Sequence, residues 1–242
     1  MSPELGSEET SDDSRLVARA GQVMSRLDAA CRRAGRDPSE LTLVAVSKRH
    51  PAAKVREAHA AGLRVFGENH VQEGVSKAAA LPAELEWHLI GPMQSNKVRP
   101  AVETFDVLHA VDRLKIAERV ARECLRQDRD VPVFVQVNVG GEQTKHGFPV
   151  GRFEETVRPL ARIDGLRIVG LMAIPPWEED PERSRHWFRE LRQLRDTASS
   201  WSDWHGFPGL LSMGMSHDFE VAIEEGATHL RVGTDIFGRR PS

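Results

Sequence analysis

Apolar, β-branched runs alternate with helix-spaced patterns along almost all of this 242-residue chain. The runs predict strands at Leu41–Ser47, Arg64–Gly67, Glu86–Ile90, Val107–Val111, Val131–Val139, Leu166–Ala173, Gly209–Met213 and His229–Gly233. Between them the apolar spacing predicts helices over Ala52–Ala61, His70–Leu81, Arg113–Arg129, Arg152–Ile163, Pro181–Ser199 and Ser216–Glu225. A further helix, Ser14–Ala34, precedes the first strand and is stopped by Gly35 and Pro38 of "AGRDP". Strands that are nearly continuous apolar runs, separated by helices, imply a parallel sheet covered on both faces. Eight such units close into a (β/α)8 TIM-type barrel; an open doubly wound sheet is the rival. The expected organisation is one barrel domain over residues 14–242, with residues 1–13 as a disordered polar lead-in. The third unit is the least defined, because no helical pattern follows Gly91.

Composition narrows the partners. The net charge of −3, from 33 basic and 36 acidic residues, offers no stripe that would track a phosphate backbone, so nucleic acid is not expected. No apolar run approaches the roughly 20 residues of a membrane span. "MSPELGSEETSDDSR" lacks the basic start and apolar middle of a secretion signal. Two distant cysteines, Cys31 and Cys124, make no disulfide framework, and a cytoplasmic location is expected. Neither HExxH nor CxxC is present, so no metal site is expected. Tyrosine is absent. The Trp-rich "SSWSDWHGFPG" reads either as a partner surface or as a packed loop, and the chain is expected to be a monomer.

The chemistry of a barrel sits at the C-terminal ends of its strands. "LLSMGMSHDFEVAIEEGA" reads as a strand, a glycine turn and a helix with Ser216 as its N-cap, where free N–H groups and the helix dipole suit an anion. "HLRVGTDIFG" ends in Gly233-Thr234, where a glycine lets backbone amides approach a ligand. Each can be a bare cap or a bare turn, but together, after the last two strands, they favour a phosphate cradle. Of six lysines, Lys54, Lys77 and Lys115 fall on helices and are expected in solvent, and Lys97 and Lys145 lie in loops. Only Lys48 directly ends a buried strand. Burial disfavours the ammonium form, and a neutral amine can attack an aldehyde; snorkelling to the rim or pairing with Glu68 is the alternative. A Schiff-base lysine opposite a phosphate cradle fits pyridoxal phosphate, or a phosphosugar in an aldolase. Arg231 shares a strand face with Gly233 and matches the arginine that can hold a pyridine nitrogen, which favours the first; pairing with Asp235 is the alternative.

"AVSKRHP", "FGENHVQE", "WHLIGPMQSNK", "GLMAI" and "LSMGMSHDFEVAIEEGATHLRVGTDIFG" resemble the pyridoxal-phosphate homeostasis proteins, over about Leu41 to Gly238. The resemblance implies the barrel of the alanine racemase N-terminal domain without that enzyme's second domain. It also implies a protein that binds pyridoxal phosphate and influences vitamin B6 and amino-acid balance, with no established catalysis. By motif, Lys48 would hold the cofactor as an internal aldimine and Asn69 would line the ring pocket. Met215 and Ser216 of "SMGMS", with Gly233 and Thr234 of "RVGT", would take the phosphate end, and Arg231 would face the pyridine nitrogen. The family often has tyrosine where this chain has His70, which removes any phenol from that position.

Racemases of this fold pair the lysine with a tyrosine that this chain lacks, and an arginine partner leaves the pyridine nitrogen unprotonated and the ring a poorer electron sink. His70, His88, His146 and His217, near predicted strand ends, are expected to be structural, although histidine can serve as acid or base. The leading expectation is therefore a carrier that hands cofactor to pyridoxal-phosphate-dependent apo-enzymes. The rival is a weak amino-acid racemase or related enzyme; a phosphosugar aldolase comes third.

Overall fold

Each strand is followed by a returning segment, so successive strands lie parallel and the set closes on itself. The computed structural model describes residues 7–142 and 145–238. Its barrel strands are β1 (Thr42–Val46), β2 (Val65–Glu68), β3 (Glu86–Leu89), β4 (Val107–Val111), β5 (Pro132–Asn138), β6 (Arg167–Met172), β7 (Leu210–Met215) and β8 (His229–Val232). All neighbours pair in parallel; β8 returns to β1, with Val44 level with Arg231, and β4 to β5 completes the ring. The predicted TIM-type barrel is present and the open sheet is not. A two-residue pairing, Phe148–Pro149, adds to the end of β5.

The helices are α1 (Ser7–Ala34), α2 (Ala52–Ala60), α3 (Val71–Ala80), α4 (Val98–Thr104), α5 (Leu114–Gln127), α6 (Phe153–Val157), α7 (Arg185–Ser199), α8 (Phe219–Glu224) and α9 (Thr234–Phe237). Several differ from expectation, the unpredicted four-residue α9 among them. The first helix starts at Ser7 rather than Ser14, so residues 7–13 of the expected lead-in are helical. Residues 1–6 of that lead-in lie outside the described residues. The unpredicted α4 has seven residues, too few to show a helical period. The sixth helix gives way to a 3-10 turn over Arg158–Arg162, where Pro159 cannot donate to an α-helical ladder. The eighth begins at Phe219 with Asp218, not Ser216, at its cap.

Side-chain alternation sorts the strands into two environments. Ala45, Leu230 and Val232 face outward into the main core beneath the helices, whereas Val44 and Val46 face inward and pack with Ile90. Continuing the period of two, Lys48 is the next inward position after Val46. "SSWSDWHGFPG" is a packed loop: Trp201 and Trp204 are buried against each other and against Phe153 and Phe207. Among the described residues no helix is long and apolar enough to cross a membrane.

The barrel interior is unusually polar. His109 is buried, and His229 is mostly so, in contact with Phe134. Burial, aided by the neighbouring His88 and Arg231, pushes His229 down to about 3 and His109 well below the usual imidazole range. An unfolded histidine binds a proton below about pH 6.5, while the folded His229 resists until about 3. Below 6.5 the unfolded state therefore binds more protons, and stability falls with pH until His229 itself titrates. We expect each such histidine to add up to about 1.4 kcal/mol per pH unit to this slope. Urea unfolding between pH 7 and 4 measures it, and His229→Asn should flatten it; an unchanged slope would mean that His229 titrates normally in the fold.

Candidate functional site

The first wall of the site is the end of β1. Ser47 is buried and Lys48 half-buried, and Arg49 takes a left-handed φ of 65°, a strained value for a non-glycine residue. Three side chains hold this turn. Ser47 Oγ donates to Glu68 Oε1 at 2.6 Å, and Lys77 Nζ donates to the Ser47 carbonyl at 2.8 Å. The same ammonium reaches Glu68 Oε1 at 2.6 Å and Glu73 Oε1 at 2.8 Å, and the Arg49 N–H donates to Glu73 Oε1 at 2.6 Å. The peptides on both sides of Lys48 are thus pinned. Lys77, expected in solvent, is buried, because it projects from α3 under the strand end rather than outward. Burial raises the Glu68 carboxyl against the pull of Lys77 and Ser47. For Glu73, burial is outweighed by the bonds from Lys77 and Arg49, and its carboxyl sits below the usual range.

The second wall is formed by β7, β8 and the turns after them. Residues 216–218 form a turn in which Asp218 Oδ1 accepts from the Met215 N–H at 2.7 Å. Ser216 is therefore not a helix cap. Its hydroxyl turns instead toward the start of α9, with the N–H groups of Gly233 and Asp235 at 3.3 and 3.4 Å. A side chain at Gly233 would crowd the Val46 carbonyl at 3.1 Å, so this position joins the two walls closely. From behind, Arg26 of α1 donates to Asp235 Oδ2 at 2.6 Å, to Glu220 Oε1 at 2.9 Å and to the Ser216 carbonyl at 3.4 Å. Asp235 thus pairs with Arg26 and not with Arg231.

Arg231 forms the floor. Nη1 donates to Ser212 Oγ at 2.7 Å and Nη2 to the Ala173 carbonyl at 2.9 Å, with the whole side chain buried. Burial pushes its guanidinium down to about 10, partly offset by Asp218, and it stays charged at neutral pH.

All seven residues singled out from the sequence, Lys48, Asn69, Met215, Ser216, Arg231, Gly233 and Thr234, line one cavity of about 460 Å³ at the C-terminal ends of the strands. Gln136, His50 and Ile90 line it too and went unnoticed; Gln136 shows one available signal, a polar residue near the end of an apolar strand. Gly91 is required beside Asn69, because a Cβ there would lie 2.2 Å from the Asn69 carbonyl oxygen. Lys145, His146 and His217 also reach this cavity, while His70 and Lys97 line a neighbouring one of about 390 Å³. His88 is not at the mouth at all but buried inside the barrel. A larger cavity, about 630 Å³, lies where the chain enters β5, β6 and β7, away from every predicted site residue. Among the described residues no group of three or more His, Cys, Asp and Glu side chains is placed to hold a metal ion.

The donor set suits a flat anionic aldehyde: an amine on one wall, hydroxyls and backbone amides on another, and a guanidinium below. Residues 22–241 match the family model of the alanine racemase N-terminal domain. The pyridoxal phosphate homeostasis protein of Pseudomonas aeruginosa is 44% identical over 228 residues, covering 94% of this chain and 96% of the relative. That of Aquifex aeolicus is 42% identical over 223 residues, covering 92% and 97%. The chain belongs to the pyridoxal phosphate homeostasis protein family.

Solved structures agree. PipY of Synechococcus elongatus with pyridoxal phosphate bound superimposes with a TM-score of 0.80 at 36% identity, covering 92% of this chain and all of that one. Alanine racemase from Bartonella henselae shares only 13% identity, with a TM-score of 0.71 over 96% of this chain and 62% of its own, a likeness of fold alone.

Proposed function

We propose that this chain holds pyridoxal 5'-phosphate in the cavity at the C-terminal ends of the barrel strands and serves vitamin B6 and amino-acid homeostasis as a carrier, without turnover. The observation that carries the reading is the convergence of Lys48, Arg231 and the Ser216–Gly233–Thr234 group on one cavity of suitable size. Lys48 Nζ would supply the amine that condenses with the cofactor's aldehyde, with loss of water. Ser216 and Thr234, with the amides beside them, bind the phosphate. The Arg231 guanidinium donates to the pyridine nitrogen and keeps a proton off it, which leaves the ring a weak electron sink. Asn69 lines the ring pocket. The relative PipY, solved with the cofactor bound, supports the ligand, and the absence of tyrosine supports a carrier over a racemase of the related two-residue type. Pyridoxal-phosphate-dependent apo-enzymes are the recipients this role requires.

Absorption spectra with added cofactor, before and after borohydride, followed by peptide mass analysis, test the site. A visible band that disappears on reduction, leaving a pyridoxyl group on Lys48, is expected. Exchange of the α-hydrogen of alanine, serine or lysine in deuterated water tests the role. A rate no higher than that of free cofactor is expected, and steady turnover above it would make the protein an enzyme.

A further inference from the structure

A line of hydrogen bonds crosses the barrel interior from the candidate site to the opposite rim. Arg231 Nη1 lies 2.7 Å from Ser212 Oγ, which lies 2.8 Å from His109 Nδ1. His109 Nε2 lies 2.9 Å from His88 Nδ1, and His88 Nε2 lies 2.7 Å from Glu86 Oε1. The first four residues are buried, whereas the Glu86 side chain, at the first position of β3, is 46% exposed.

With both imidazole rings neutral, the two ends set the direction of the line. A guanidinium only donates, and an ionised carboxylate only accepts. The bond from His88 holds the Glu86 carboxyl below its usual range, so it is ionised at neutral pH. Ser212 therefore accepts from Arg231 and donates to His109 Nδ1. His109 donates from Nε2 to His88 Nδ1, and His88 donates from Nε2 to Glu86. The opposite tautomers would turn the bare Nε2 of His88 toward the carboxylate. Around the line, Phe134 stacks on His109 at 4.5 Å, and His229 meets His109 edge-on at 5.7 Å while its Nδ1 lies 2.9 Å from Thr228 Oγ1. Bonds aligned this way polarise one another and hold each member in one orientation.

We propose that Ser212, His109, His88 and Glu86 are positioning residues for Arg231. Acting as one unit, they fix the guanidinium in the orientation offered to the pyridine nitrogen and tie the far rim of the barrel to how firmly the cofactor is held. This rests on the placement of the pyridine nitrogen at Arg231 given above.

The first test needs no cofactor. Ring nitrogen-15 shifts of His88 and His109 at neutral pH should show both as neutral Nε2–H tautomers; an Nδ1–H form of either overturns the proposal. The second is a double-mutant cycle on cofactor affinity, read from the visible band. Ser212→Ala should weaken binding about tenfold, the scale of one hydrogen bond to a charged group. Glu86→Ala, at an exposed rim position, should weaken it two- to fivefold on the order expected for a partner at one remove, and should add nothing once Ser212 is alanine. Losses that simply add, or a Glu86→Ala protein with unchanged affinity, overturn it. Should Ser212→Ala fail to fold, the tautomers and Glu86→Ala decide. If the unaltered protein shows no borohydride-sensitive band, the proposed function fails, while the tautomer result still stands or falls by itself.

Discussion

Lys48→Ala is expected to abolish borohydride-stable incorporation of pyridoxal phosphate completely, and with it the visible band. Of the five other lysines, Lys145 alone also lines the cavity, where its amine donates to the Pro175 carbonyl at 3.3 Å and pairs with Glu142 at 2.6 Å. Lys145→Ala should therefore keep the label on Lys48. Lys77 is close in space but buried behind the strand end, with its ammonium on three acceptors. Residual binding by Lys48→Ala, through Ser216, Thr234 and the neighbouring amides, is compatible with the assignment, so the band and the mass label decide and retention does not. A variant with an unchanged visible band would show that another amine forms the link.

Lys77→Met should cost about 3–5 kcal/mol, because it leaves Glu68 buried and uncompensated while Glu73 keeps only the Arg49 amide. For a chain of this length that corresponds to a loss of roughly 6–20 °C in Tm. The companion Lys77→Met with Glu68→Gln should recover part of the loss, since the glutamine removes the stranded charge while still accepting from Ser47. Thermal unfolding of the three proteins checks this, and a loss below about 1 kcal/mol would mean that the cluster contributes little. The cofactor band provides a second readout. Lys77 holds the Ser47 carbonyl, so the folded fraction of Lys77→Met should also bind pyridoxal phosphate more weakly.

Why the site was readable from the chain is clear from β1 and β8. Lys48 directly follows the apolar run of β1, and the alternation of β8 puts Arg231 and Gly233 on one face before any contact is known; pairing of the two strands then sets Arg231 level with Val44 on the inner face. The rule that barrel chemistry sits at strand ends then brings these positions to one mouth. Ser216 was found by its place in the turn after β7 but assigned the wrong local role, because a serine before an acidic helical stretch looks like a cap. Lys77 was misplaced because the helical period of α3 shows which face is apolar, and a lysine reads as outward until a carboxylate is known to wait beneath it.

By itself, the order of apolar and polar residues marked the eight strands, their parallel pairing, the strand-end place of Lys48 and the shared face of Arg231 and Gly233, since these follow from periods of two and 3.6 acting over a few neighbours; closure of the sheet, and which face turned inward, were decided by the tertiary structure. Only the closed barrel decided that Lys77 locks the turn before Lys48, that Arg26 reaches Asp235 and Ser216 from behind, and that two histidines link Arg231 to Glu86. Such bonds join residues far apart in the chain, and their existence depends on distances of a few ångströms that no local pattern encodes.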